Sequence, residues 1–447
     1  MAMGKRRQMR QDSLFVAAQD LPKTPSHPFY KRLNEILVNA GFDAFVEKLC
    51  EGFYARKMGR PSLPPAIYFR ILLVGYFEGI DSERGIAWRV TDSLSLKRFL
   101  GYSITDATPD HSTISRNRRL IDVETHDEVF VWVLRLLARE KLLDGKTGLI
   151  DATTLEANAA MRSIVRRDTD ERYAEYMTRL AEESGIDTPT RQDLAKLDRT
   201  RKNKASNRDW KHPFDPDAEI TKMKDGRTHM AHKSEHMVDA KTGAILAVTL
   251  QPASRGDTAS MDETVQAADA NLTRLMDDQE ACNALNEQVL GEVVADKGYH
   301  SDKVLTRERG RDIRTYISEP DRGKRKWAGK STERDAVYAN RRRIRGQRGR
   351  RLLRSRGELV ERSFAHCYDT GGMRRTHLKG HENIRKRLLI HVAGFNLSLL
   401  LRRDLGWGTA RGLQSLWASI FGPLWRIFRP QNPSSVADAP GATPCAA

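Results

Sequence analysis

The chain has 447 residues, with 76 Lys and Arg against 59 Asp and Glu, a formal net charge of +17. That length holds two or three domains and at least one sizeable core. The charge favours a polyanionic partner, because phosphates reward clustered cations with counterion release. The four cysteines, Cys50, Cys282, Cys367 and Cys445, are scattered without metal-ligand spacing. They argue against a zinc framework or a disulfide scaffold and fit a reducing compartment.

The N-terminal MAMGKRRQMRQDS is basic and lacks the apolar run of a secretory signal. A helical pattern follows in HPFYKRLNEILVNAGFDAFVEKLC, and RPSLPPAIYFRILLVGYFEGI starts on prolines and ends near Gly79. DSERGIAWRVTDS (81–93) reads as a short capped helix. TPDHSTISRNRRLID (108–122) reads as a second one, with Asp110 as its N-cap. The second carries Ser112, Arg116, Arg118 and Arg119 among its polar residues, a pairing that suits a helix-turn-helix-like DNA reader. THDEVFVWVLRLLAREKLL (125–143) is a long amphipathic helix that closes an all-helical N-terminal domain, residues 1–145.

The texture changes at residue 147. TGLIDATTLEAN reads as a buried strand, and residues 155–228 form a charged insertion, partly helical near 170–200 and then loop or disordered. HMAHKSEHMVDAKTGAILAVTLQPA (229–253) reads as a hairpin turning at Gly243. A helix, the strand EQVLGEVVADKGY, a helix and the strand IRTYISEP come next, then a helix in ELVERSFAHCYDTG and a long terminal helix from His381. This is an α/β layout whose early strands are antiparallel and whose later ones alternate with helices. It spans 146–402, ahead of an aromatic amphipathic helix and a flexible tail (403–447). The stretch GLQSLWASIFGPLWRIF is broken by Gln414, Gly422, Pro423 and Arg426, too short to cross a bilayer core of ~30 Å. Trp407, Trp417 and Trp425 form an apolar stripe suited to packing or oligomer contact. The expectation is a soluble cytoplasmic protein with no membrane partner.

Three carboxylates stand out. Asp151 ends the first apolar run, Asp296 ends VVAD before KGYHSD, and Glu361 lies on a helix beside Leu359, Val360 and Phe364. Taken singly, an Asp at a strand end is a cap or turn residue. Carboxylates gathered at strand ends repel one another unless a divalent cation neutralises them, and magnesium accepts such hard oxygen ligands. RRRIRGQRGRRLLRSR (341–356) places Arg341, Arg342, Arg343, Arg345, Arg348, Arg350, Arg351, Arg354 and Arg356 just before the Glu helix. Such a run solvates a face or binds DNA phosphates. His229, His232 and His236 do not suit one zinc site, because His229 points away from the other two along a strand.

In this order the residues resemble a known family. IDATTLEAN, the hairpin AHKSEHMVDAKTGAILAVTLQPASRGDT, VVADKGYHSD and ELVERSFAHCYDTGGMRR look like the catalytic core of a bacterial insertion-sequence transposase of the DDE type. RPSLPPAIYFRILLVGYFEGI and DHSTISRNRRLI are similar to the helical N-terminal domain of these enzymes. The resemblance implies an RNase H-like mixed sheet flanked by helices. It also implies Asp151, Asp296 and Glu361 as a triad for two Mg²⁺ ions, or Mn²⁺. The chemistry implied is cleavage at transposon ends and transfer of the freed 3′-OH into target DNA.

Family members often place a Tyr and an Arg before the Glu and a Lys seven residues after it; here Gly357 stands four before and Tyr368 seven after, and Glu358 is the rival third carboxylate. Arg356, Arg362, Arg374, Arg375 and Lys379 are candidates for the DNA end, Lys233 and His236 match the family's hairpin, and Lys297 and His300 flank Asp296. The implied partners are terminal inverted repeats and target DNA near the nucleoid, with a homodimer pairing two ends. The rival readings are a metal-dependent nuclease that cuts without joining and a DNA-binding repressor that has lost catalysis.

Overall fold

The computed structural model describes residues 27–54, 62–201, 206–223, 225–321, 323 and 325–412. The basic N-terminal segment and residues 413–447, with Trp417, Trp425 and Cys445, lie outside the described residues.

Among the described residues seven helices come first: α1 (Pro28–Asn39), α2 (Phe42–Cys50), α3 (Pro65–Glu78), α4 (Glu83–Thr91), α5 (Leu94–Phe99), α6 (His111–Leu120) and α7 (Val123–Arg139). Their ends follow local chemistry. Gly41, with φ near +70°, separates α1 from α2, and Gly79, with φ near +65°, stops α3. Ser82, Asp110 and Asp122 cap α4, α6 and α7 by accepting backbone N–H bonds. Residues 100–110 connect α5 to α6, a longer link than a helix-turn-helix turn, and α4 and α6 are joined by an Arg118–Glu83 ion pair at 2.8 Å.

The second part contains β1 (Thr147–Glu156), β2 (Val165–Arg166), α8 (Tyr173–Glu183), α9 (Arg191–Thr200), β3 (Trp210–Lys211), β4 (Glu219–Lys222), β5 (Thr228–Asp239) and β6 (Ile245–Pro252). It continues through α10 (Asp257–Leu275), α11 (Gln279–Ala284), β7 (Glu292–Ala295), α12 (Asp302–Gly310), β8 (Arg314–Ile317), α13 (Ser331–Arg345), α14 (Gln347–Phe364) and α15 (His381–Leu405). The main sheet runs β4-β5-β1-β7-β8, with β6 also on β5. The β1–β5, β5–β6 and β4–β5 pairs are antiparallel, whereas β1–β7 and β7–β8 are parallel.

The charged insertion is more ordered than its composition suggests. Its helices fall near the expected 170–200, but the stretch read as loop supplies β3 and β4. The reason is a small separate core. Trp210 is buried against Tyr173 and Tyr176, with Ala157, Ile164, Ala218 and Met230 around it. Elsewhere one continuous buried cluster runs from Phe29 to Ala410. The middle of α15 is apolar on all sides and sits within that cluster, as a helix packed all round must. Trp407 packs against the same cluster. No helix among the described residues is long and apolar enough to cross a membrane.

Candidate active site

Asp151 sits within β1, not at its end, because β5 pairs with β1 all the way to Glu156. On the other edge the parallel ladder with β7 stops at the Leu149–Val294 pair. Asp151 therefore lies where β1 loses its β7 neighbour. Asp296 follows β7 directly, two residues beyond the last β1–β7 pair as Asp151 is on β1, so the two carboxylates come near one another at this edge. Burial pushes the Asp151 carboxyl above its ordinary range, and the charge of Asp296 adds to that push. Two mutually repelling carboxylates at one sheet notch suit a hard cation.

The DKGY turn explains itself physically. Asp296 Oδ1 accepts the Gly298 N–H at 2.7 Å and caps a short 3₁₀ turn, Lys297–Tyr299. A Cβ at Gly298 would lie 2.5 Å from Asp257 Oδ2 and 3.0 Å from Asp296 Oδ1, so only glycine fits without shifting them. Tyr299 then points inward and donates to Glu235 Oε1 at 2.8 Å. Glu235 is buried with its charge disfavoured by burial, and the hydroxyls of Ser260 and Thr264 hold it. Lys233 completes this cluster, bonding Asp257 at 2.6 Å and Ser260 at 2.9 Å. Sequence reasoning missed Glu235, Asp257 and Tyr299. The available signal was a glutamate inside a strand with neighbours on both edges, which burial forces into a satisfied polar network.

The opposite face of β5 meets α14. His236, directly across from Asp151, accepts or donates to Ser363 Oγ at 2.9 Å and Tyr368 Oη at 2.6 Å. Tyr368 also bonds Ser234 at 2.6 Å. It lies in a π-helical segment, Ala365–Thr370, that continues α14. The position seven after Glu361, where the resemblance implied a lysine, thus holds a buried anchor. Its neighbour Arg374 lies over the Tyr368 ring and bonds Asp369 at 2.9 Å and Thr153 at 3.2 Å.

Several residues expected at DNA are taken by the fold. Lys233 and His236 are buried in the networks just described, and His300 is fully buried near Glu319. Arg118 is buried against Glu83 and Asn383. Lys233, His236 and Arg118 are each held inward by partners distant in sequence. Ser112, Arg116 and Arg119 remain exposed on α6, although Ser112 bonds Asp110 and Arg116 bends back to Ser112 and Thr113. Lys297 is exposed with no side-chain partner among the described residues. Arg375 and Lys379 are exposed, near Glu156 and over Phe214.

The arginine run divides the same way. Arg341 forms a two-point pair with Glu319, Arg343 bonds Thr315, and Arg348 bonds the buried Glu292 at 2.5 Å. Arg342, Arg345, Arg350, Arg351 and Arg354 are exposed with no side-chain partner among the described residues. Arg356 turns in and meets Asp151, Nη1 to Oδ2, at 2.6 Å. Arg350, Arg354 and Glu361 fall on one outward stripe of α14, whereas Leu352 and Val360 face the core. Glu361 is exposed and its carboxylate has no partner among the described residues, and Glu358 is exposed and paired with Arg362 at 2.7 Å. No three His, Cys, Asp or Glu among the described residues are grouped to hold a metal ion.

Known families account for most of this chain. The model of a transposase domain (DUF772) matches residues 18–120, and that of a transposase DDE domain matches residues 188–397. The chain belongs to the insertion-sequence transposases of the DDE type. Asp296 and Glu361 of this transposase lie inside the second matched segment, and Asp151 lies between the two. No curated protein and no solved structure matches the chain.

Proposed function

We propose that this transposase cuts phosphodiesters at the ends of its element and joins the freed 3′-OH to target DNA, with Asp151, Asp296 and Glu361 holding two magnesium ions. The observation that carries the reading is that Asp151 and Asp296, each two residues beyond the last β1–β7 pair, come close enough for their charges to act on each other. The strand order supports an RNase H-like core: three antiparallel strands, β6-β5-β1, continued by β7 and β8 parallel to β1. Divalent cations, when bound, supply Lewis acidity and neutralise charge developing on the phosphate oxygens.

The chain's own residues do the rest. Asp296 is held in place by its Gly298 N–H bond and by the Tyr299–Glu235 anchor beneath it. Lys297 projects beside it, free to hold a nonbridging oxygen. Arg350, Arg351 and Arg354 offer a row of cations to the backbone, with α6 as a further contact in an N-terminal DNA-binding domain. Glu361 lies on the same exposed stripe as Arg350 and Arg354. α14 already reaches the notch through Arg356, so as third carboxylate Glu361 has to turn from that stripe toward Asp151 and Asp296, in a complex where two copies pair two ends.

The test is cleavage of a duplex carrying the element's end, with Mg²⁺, by wild type and by Asp151→Asn, Asp296→Asn, Glu361→Gln and Glu358→Gln. Loss of about 10³-fold or more is expected for the first three, as for groups that act as one unit, with little change for the last. Cleavage undiminished by Asp296→Asn would overturn the reading. Loss by Glu358→Gln in place of Glu361→Gln would exchange the third ligand. Products joined to target DNA separate a transposase reaction from simple nuclease action.

A further inference from the structure

The ion pair between Arg356 and Asp151 carries more than a DNA contact. Arg356 comes from the side of α14 that faces the sheet and spans 205 positions in sequence to reach Asp151. Asp151 Oδ1 is already engaged by the Ala152 N–H at 2.9 Å, so Arg356 takes the remaining oxygen. Among the described residues no other cationic side chain bonds Asp151 or Asp296.

We propose that Arg356 is a displaceable counter-ion at the metal site: it holds the Asp151 carboxylate in place, and must leave Asp151 before a divalent cation can be shared with Asp296. This rests on the proposed role of the two aspartates. One carboxylate oxygen cannot serve a guanidinium at 2.6 Å and a cation together without the two positive charges meeting. Release is feasible because neither partner is sealed off, the side chains of Arg356 and Asp151 being 16% and 25% exposed. Arg356 is thus a positioning residue that competes with the metal, and its removal should strengthen metal binding. A residue with a purely structural role at the notch would weaken binding when removed.

The experiment measures Mn²⁺ affinity of the full-length protein without DNA, by electron paramagnetic resonance of the free ion. Arg356→Gln should bind Mn²⁺ about tenfold more tightly than wild type, the scale on which removing a charge-assisted competitor acts. Arg356→Lys, which keeps the charge but loses the planar fork, should fall between them. Arg354→Gln makes the same charge change on the exposed side of α14 and should alter affinity by about twofold at most, because salt screens it. Equal affinities for Arg356→Gln and Arg354→Gln, or weaker binding by both Arg356 variants, would overturn the inference while leaving the aspartate site intact. Mn²⁺ binding that Asp151→Asn does not weaken would overturn both the inference and the site on which it rests.

Discussion

At the scale of single residues, the DKGY turn shows why a short motif is demanding. The proposed site needs Asp296 held, and its holder is a backbone N–H two residues on. The glycine is needed for space, because a methyl there meets the carboxylates of Asp257 and Asp296, the first of them fixed by Lys233. Gly298→Ala should therefore displace Asp296 by a few tenths of an ångström or more. End cleavage is expected to fall by about 10²-fold, the usual effect of misplacing a reacting group by ~1 Å. Thermal stability should change little, since the turn is at the surface. A Gly298→Ala enzyme that cleaves at the wild-type rate would show that close approach is not the glycine's purpose.

At the scale of elements, α13 and α14 carry one arginine run with two jobs. Arg341, Arg343 and Arg348 fasten the helices to β7, β8 and the segment after it, through Glu319, Thr315 and Glu292. Arg350, Arg351 and Arg354 face solvent without partners among the described residues. Replacing these three with glutamine should weaken binding to duplex DNA of any sequence. It should also flatten the dependence of log affinity on log salt by up to about 2.7, near 0.9 for each phosphate no longer neutralised. Replacing Arg341 and Arg343 should instead lower the melting temperature. A salt dependence that stays the same in the triple variant would remove the outer stripe from the DNA interface.

At the scale of the whole molecule, three of the buried histidines lie on separate elements: His126 in α7, His236 in β5 and His391 in α15. Burial pushes His126 and His236 down to about 3 and His391 well below its ordinary value. A depressed histidine is neutral in the folded chain and protonated in the unfolded chain below pH 6.5. The stability it contributes is thus present above 6.5 and lost as pH falls toward its folded value. Each should cost up to about 1.4 kcal/mol per pH unit below that point. Urea unfolding at pH 7.5 and pH 5 should show a clear drop at the lower pH. Equal stability at the two would mean that the histidines are not held neutral.

Much of this was legible in sequence because it is local. Capping residues, apolar periodicity and glycine stops placed α3, α4, α6, α10 and the β5–β6 hairpin, and apolar runs ending on Asp marked both aspartates. What no local pattern records is which face a side chain turns toward a partner far along the chain. That decided the inward fate of Arg118, Lys233 and His236, the position of Asp151 within a strand that β5 prolongs, and the outward place of Glu361. It also sent Arg356 to a carboxylate 205 positions away, while Arg354 on the same helix stayed in solvent. Backbone conformation follows from neighbours in sequence, whereas ion pairing and burial follow from long-range packing, which assembles only when the sheet and α14 come together.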